Sequence, residues 1–229
     1  MLKIQDHRVR VAAARREEMR NNLLFSALSL SSTQSIHAID VDDIIKHAEV
    51  SRGSFYKYFP SVSALFQELA EQLAQEVSLA VKETAARRPN TAERLSSTAR
   101  LIMRLLVDIP ALGHLFVQVP WGIQGARLNF FPSIQQDLEQ GIKEGQFEKL
   151  PVAIGLNLVI GCMVGGVHTM LLKPPSKGYE DKVLRQVLVG LGLDARAADK
   201  LSKAHLSYEV MLPQTGILGK LSEHLPLKQ

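Results

Sequence analysis

An all-α fold follows from three features of the chain. Apolar residues recur at helical spacing along most of the 229 residues. Aromatic residues make up only 6%, and period-two runs bounded by turn pairs are scarce. Prolines fall between or at the starts of the apolar-periodic segments, where a helix tolerates them, rather than within them.

Arg15 to Leu30 is the first predicted helix, with Met19, Leu23, Leu24, Ala27 and Leu28 on one face. Residues 1–14 precede it as a basic N-terminal arm. Asp40 precedes Val41–Ala48, a short helix whose first-turn acids suit the positive end of the helix dipole. Ser51 caps a second short helix, Arg52 to Phe59, so residues 15–60 form one small domain. Ser61 caps a long connecting helix over residues 61–88, with Val62, Leu65, Phe66, Leu69, Leu73, Val77 and Ala80 as its buried stripe. Pro89-Asn90 marks the boundary to a second helical domain, residues 89–212. Its helices are expected at about Thr91–Val107, Pro110–Val119, Pro132–Glu144, Pro151–Leu172 and Glu180–Leu191, with a last one running from Asp194 to about Tyr208. Residues 213–229 are read as a tail.

The length is enough for one or two domains with a real core. The single cysteine, Cys162, excludes an intramolecular disulfide framework and a cysteine-cluster metal site. The net charge of +4 is too small to argue for a nucleic-acid partner by itself. The first 20 residues carry six Lys and Arg with no apolar stretch behind them, so no secretory signal is expected and the cytoplasm is the expected location. From Leu150 to Leu172 there is no Asp, Glu, Lys or Arg, a run long enough to cross a bilayer.

Two short helices joined by a few residues, the second rich in polar and basic side chains, make a helix-turn-helix pattern. Ile44, Ile45, Ala48, Val50 and Phe55 supply the apolar positions that lock the pair together. Arg52, Gly53, Ser54, Tyr56, Lys57 and Tyr58 offer donors of the kinds that meet phosphates and base edges. Periodicity alone leaves a plain helical hairpin with a solvated basic face equally open.

The string Val41-Asp42-Asp43-Ile44-Ile45, then Ala48-Glu49-Val50-Ser51-Arg52-Gly53-Ser54-Phe55-Tyr56-Lys57-Tyr58-Phe59-Pro60-Ser61, then Ala64-Leu65-Phe66, resembles the N-terminal domain of the TetR family of bacterial transcriptional regulators. The resemblance covers roughly Arg15 to Phe66. It implies a homodimer that binds double-stranded, palindromic operator DNA, most often as a repressor released by a small molecule. Arg52, Ser54 and Lys57 then fall on the exposed face of the recognition helix, Tyr56 near the DNA backbone, and Gly53 where close approach to the duplex is needed. Arg15 and Arg16 stand where the first helix could reach phosphate. Five positions depart from the family pattern. Glu49 stands in the inter-helix turn where Gly is usual, Asp40 where Thr or Ser is common, and Val62 where a basic residue often follows Pro-Ser. Ser31 and Ser35 replace the aromatic and glycine usual at the end of the first helix.

The uncharged run has two readings, a membrane span or a buried helix at a subunit interface. Asn157, His168 and Thr169 lower its hydrophobicity, and no basic cluster marks one flank. The resemblance places a four-helix dimer interface on Pro151–Leu172 and Glu180–Leu191, with Gly161, Gly165, Val183, Leu184, Val187, Leu188 and Leu191 as its residues. It also implies an effector pocket in the second domain, for which Met103, Leu106, His114, Phe116, Trp121, Phe130, Phe131 and Met163 are the candidates. The scarcity of charge from Leu105 to Phe131 points to an apolar or aromatic effector.

Enzyme signatures are lacking: there is no phosphate loop, no HExxH and no GxSxG. His114, His168 and His205 have no metal-like spacing, and neither a metal nor a cofactor is expected. Two other readings stay open: a helical regulator with weakened DNA binding that acts through protein contacts, and a membrane-associated helical protein.

Overall fold

A computed structural model describes residues 2–86, 88, 90–119, 132–173, 178–206 and 212–224. Among these every regular element is an α-helix: α1 Leu2–Ser31, α2 Val41–Ala48, α3 Arg52–Tyr58, α4 Val62–Ala86, α5 Thr91–Asp108, α6 Pro110–Gln118, α7 Pro132–Lys143, α8 Val152–Leu172, α9 Tyr179–Gly190, α10 Ala195–Ser202 and α11 Gly216–His224. The all-α architecture is the one the sequence specifies.

Three elements differ from expectation. The basic arm is helical: α1 begins at Leu2, not Arg15. Met1 to Ser31 contains no Gly or Pro, and its Ala and Arg-rich start favours helix. The apolar stripe begins only near Met19, so periodicity gives no sign of the earlier turns. Residues from Val9 to Glu18 are exposed. Secondly, α10 ends at Ser202, short of Tyr208; residues 207–211 lie outside the described residues. Thirdly, the tail contains α11, whose Ile217 and Leu218 are fully buried.

The head is built from α1, α2 and α3 against the start of α4. Leu23, Leu24, Ala27 and Leu28 of α1, Ile44 of α2, Phe55 of α3 and Leu65 of α4 are all fully buried, so one apolar centre fixes the four helices together. Arg20 ties α1 to α4 through an ion pair with Glu68, and its guanidinium lies 5.0 Å from the centre of the Phe59 ring. In the second domain α5 is surrounded by α4, α6, α7, α8, α9 and α10. Even its polar Ser96, Ser97, Thr98 and Arg100 are buried. Arg100 pairs with Asp181 of α9 at 2.8 Å and donates to the Ala204 carbonyl after α10. Arg94 pairs with Asp137 of α7, whose carboxyl is pushed up by burial and partly pulled back by that arginine. α8 packs on α5, α6, α7 and α9.

Candidate nucleic-acid interface and effector cavity

The turn between α2 and α3 is set by its caps. Asp40 and Asp43 form a reciprocal capping box: the Asp43 N–H donates to Asp40 Oδ1 at 2.9 Å, and the Asp40 N–H to Asp43 Oδ2 at 3.1 Å. Asp40 is thus occupied in starting α2. At the other end Glu49 has φ 55° and ψ 43°, the left-handed conformation that a glycine adopts without strain. It is the one non-glycine residue with positive φ among the described residues. Its N–H donates to the Ile45 carbonyl, and Asn22 of α1 donates to the Ala48 carbonyl at 3.0 Å, which fixes the turn against the first helix.

Ser51 caps α3 by accepting the Ser54 N–H at 3.1 Å. Phe55 and Phe59 face inward and are essentially unexposed. The opposite face carries Arg52, Gly53, Tyr56 and Lys57, all exposed. Tyr56 is anchored edge-on against Phe55, with ring centres 5.3 Å apart, so its hydroxyl end projects from a fixed base. An added Cβ on Gly53 would meet only Ser51 Oγ at 3.9 Å, so nothing within the chain requires glycine there. Arg52 donates to Asp42 Oδ1 at 2.8 Å, a hydrogen bond that pushes its already high pKa up, and the guanidinium stays charged throughout the folded range.

Ser54 is less free than expected. It is half-buried, and its hydroxyl lies 2.9 Å from that of Ser51, so its first role is in the cap. Tyr58 is half-buried against the core. Arg15 and Arg16 are exposed on the projecting part of α1.

In the second domain an apolar cavity of about 30 Å³ lies between α4 and α6. Its walls are Ala70, Leu73, Ala74 and Val77 of α4, Leu106 of α5, Leu112, Leu115 and Phe116 of α6, and Val119 beyond it. Of the expected effector residues it contains Leu106 and Phe116. Met103 and Met163 are not on its walls; both are fully buried, and the Met103 terminal methyl sits against Gly166 of α8, which makes them helix-packing residues. His114 is also not on its walls. Trp121, Phe130 and Phe131 lie outside the described residues. The α4 wall went unnoticed in the sequence because its stripe reads as plain core; the signal was the pair of small residues, Ala70 and Ala74, that leaves the space.

Four of the expected interface residues face inward in the single chain. Leu184, Val187, Leu188 and Leu191 are fully buried within the single chain, because the apolar face of α9 is used against its own domain. A side chain with no accessible surface in its own subunit has none to give a partner. Val183 is half-buried. Gly161 and Gly165 are exposed, with open space where a Cβ would sit. With Ile154, Asn157, His168 and Leu172 they form a continuous exposed stripe along α8 without a single charge. Cys162 is partly covered, and burial pushes its thiol pKa up.

A capped two-helix reading head, with one cationic helix face and a helical link to a helical domain holding a cavity, defines a helix-turn-helix DNA-binding regulator. Family models agree. Residues 23–69 match the bacterial regulatory proteins of the tetR family, and residues 90–204 match the tetracyclin repressor-like C-terminal domain. The chain belongs to the TetR family of transcriptional regulators. Among solved structures it is similar to RolR in complex with resorcinol, with 22% identity and a TM-score of 0.68 over 87% of this chain and 100% of that one. A tetR-family regulator from Shewanella sp. PV-4 has a TM-score of 0.68 at 15% identity, over 77% and 99% of the two chains. FadR from Bacillus subtilis, in complex with stearoyl-CoA, has a TM-score of 0.56 at 18% identity, over 76% and 98%. At these identities the likeness is one of fold. Among curated proteins none matches the chain.

Proposed function

We propose that the protein is a cytoplasmic, homodimeric transcriptional repressor, without catalytic activity, that leaves a palindromic DNA operator when an apolar or aromatic small molecule enters the α4–α6 cavity. The observation that carries this reading is the α3 surface: Arg52, Gly53, Tyr56 and Lys57 stand exposed on a helix whose other face is locked by Phe55. Arg and Lys supply phosphate and guanine contacts, Tyr a backbone contact, and Gly53 the room for a duplex to approach. Arg15 and Arg16 would add phosphate contacts from α1.

A dimer suits this head, because two recognition helices one DNA turn apart read the two halves of a palindrome. The uncharged α8 stripe supports it: six residues at helical spacing expose Gly161 and Gly165, where a second copy's backbone could approach closely. The same stripe offers a reason other than a bilayer for the lack of charge in this helix. The effector class rests on the cavity, whose walls are wholly apolar. Structural neighbours bound to resorcinol and to stearoyl-CoA fit an aromatic or acyl-chain ligand. Single-ring occupants need a cavity of about 150 Å³, so binding would push α6 away from α4.

Selection of bound sequences from random duplex DNA with the purified chain tests the proposal. Enrichment of an inverted repeat, reversed by resorcinol or by a long-chain acyl thioester, is the expected result. No enrichment would overturn it in favour of a regulator acting through protein contacts.

A further inference from the structure

Asp42 looks out of place on a DNA-reading head, since an exposed carboxylate repels phosphate. The capping box fixes the start of α2 and with it the position of Asp42. Ser51 likewise fixes the start of α3, where Arg52 is the first residue. The two helix starts bring the Arg52 Nη2 to 2.8 Å from Asp42 Oδ1, with both side chains more than half exposed, 58% and 67%. Among the described residues Lys57, on the same helix, pairs with no acid.

An exposed pair of this kind adds little stability. Its effect is on what Arg52 can bind next. A guanidinium has five N–H donors in a planar fork, and Asp42 takes one of them. The remaining donors can still meet the N7 and O6 acceptors of a guanine. Guanine is neutral, so an Asp42–Arg52–guanine arrangement keeps the ion pair intact. A phosphate is anionic. Placing it on Arg52 sets two negative charges against one cation, or requires the ion pair to break.

We propose that Asp42 is a specificity-determining residue that holds Arg52 for a guanine edge in the major groove and withholds it from phosphate. The inference rests on the DNA-binding reading above. It implies that the cationic count of the head in non-specific binding excludes Arg52, and that the operator half-site carries a guanine read by this side chain.

Salt titration of full-length protein on a duplex of unrelated sequence provides the test. Asp42→Asn frees Arg52 for one more phosphate, so the slope of log affinity against log salt steepens by about 0.9. This equals roughly a 3- to 4-fold greater loss of affinity between 50 and 200 mM salt. Adding Arg52→Ala to Asp42→Asn removes the gain. Asp43→Asn, which deletes an equal charge one residue away without freeing Arg52, keeps the wild-type slope. In selection from random DNA, Asp42→Asn loses enrichment of one guanine per half-site. An unchanged slope in Asp42→Asn, or an equal steepening in Asp43→Asn, overturns the inference while leaving DNA binding in place. A wild-type chain that binds no duplex at all overturns the DNA-binding reading, and this inference with it.

Discussion

The side chain of Gln118, at the end of α6, is hydrogen-bonded into the DNA-reading head: its Oε1 accepts the backbone N–H of Ile36 at 2.9 Å. Its Nε2 donates to the His114 carbonyl one turn back at 3.2 Å, which fixes the amide's orientation. Phe116 and Val119, on either side of it, belong to the cavity wall. A movement of α6 away from α4 therefore pulls on the segment that leads from α1 to α2. Gln118→Leu keeps the volume and removes the acceptor. Ile36 is 8% exposed, so its N–H loses a partner at a cost of about 1–2 kcal/mol. Urea unfolding reads that loss, and hydrogen exchange shows it as faster exchange at the Ile36 amide. An unaltered exchange rate would mean that the bond does not hold the two domains together.

Glu49 occupies a left-handed position at the end of α2 with an exposed side chain. Glu49→Gly relieves backbone strain on the order of 1 kcal/mol. Glycine's larger unfolded-state entropy offsets part of it, so the expected net gain is about 0.5 kcal/mol, seen as a small rise in Tm. A lower Tm would show that the Glu49 side chain makes a contribution larger than the strain.

At Gly53 stability and function should separate. Gly53→Ala places a methyl in open space on α3 and raises helix propensity, stabilising the fold by up to about 1 kcal/mol. On the proposed interface the same methyl stands between helix and duplex, and affinity for the selected operator falls. Thermal melting and DNA binding of the one variant give the two signs. Equal or tighter binding would remove Gly53 from the interface.

The helix-turn-helix was readable in the sequence because its determinants are local. Caps at Asp40 and Ser51, an apolar core at Ile44 and Phe55, and a misfit at Glu49 all lie within a few residues of what they control. Features set by distant contacts were not readable. Whether Leu188 faces its own domain or a partner depends on what packs against α9, and periodicity shows only that one face is apolar. Arg52 and Asp42 are ten residues apart on different helices, and their charges could be counted but not paired. The cavity arises from Ala70 and Ala74 opposite Phe116, a juxtaposition of α4 with α6. The early turns of α1 were missed because they bury nothing and so leave no stripe.

The proposed α8 interface separates two variants that the sequence would treat alike. Gly165→Arg puts a long cation on the exposed stripe of α8, at a position where a Cβ meets nothing in its own chain. It should keep the helical fold and convert a dimer to monomer in sedimentation equilibrium, with the concentration dependence of unfolding lost as the dimer is lost. Leu188→Ala empties a fully buried site and should cost about 2–5 kcal/mol without breaking the dimer at concentrations where the chain is folded. Dissociation by Leu188→Ala with Gly165→Arg still dimeric would place the interface on α9 after all.

The C-terminal helix shows most directly how a distant residue can create an element that its own sequence does not announce. α11 opens at Gly216 with φ 81°. The cap comes from Glu76 in the middle of α4, whose Oε1 accepts the Ile217 N–H at 3.1 Å and whose Oε2 accepts the Leu218 N–H at 2.8 Å. Gln72 donates to Glu76 Oε1 at 2.9 Å and steadies the carboxylate. Ile217, Leu218 and Leu221 then bury themselves as α11 packs on both α1 and α4. Both N–H groups are orphan donors of a helix start and both bonds are charge-assisted, so the cap contributes at the upper end of the usual range. Glu76→Ala should cost about 1–2 kcal/mol, and alanine's better helix propensity in α4 makes that figure an underestimate of the cap itself. The loss should appear first as faster hydrogen exchange at Ile217 and Leu218, before any change in the protection of α5. Glu76→Gln, which keeps two polar atoms but only one acceptor, should fall between the two. Exchange that rises equally across α5 and α11 would mean that α11 unfolds only with the whole domain, and that its docking does not depend on this one carboxylate.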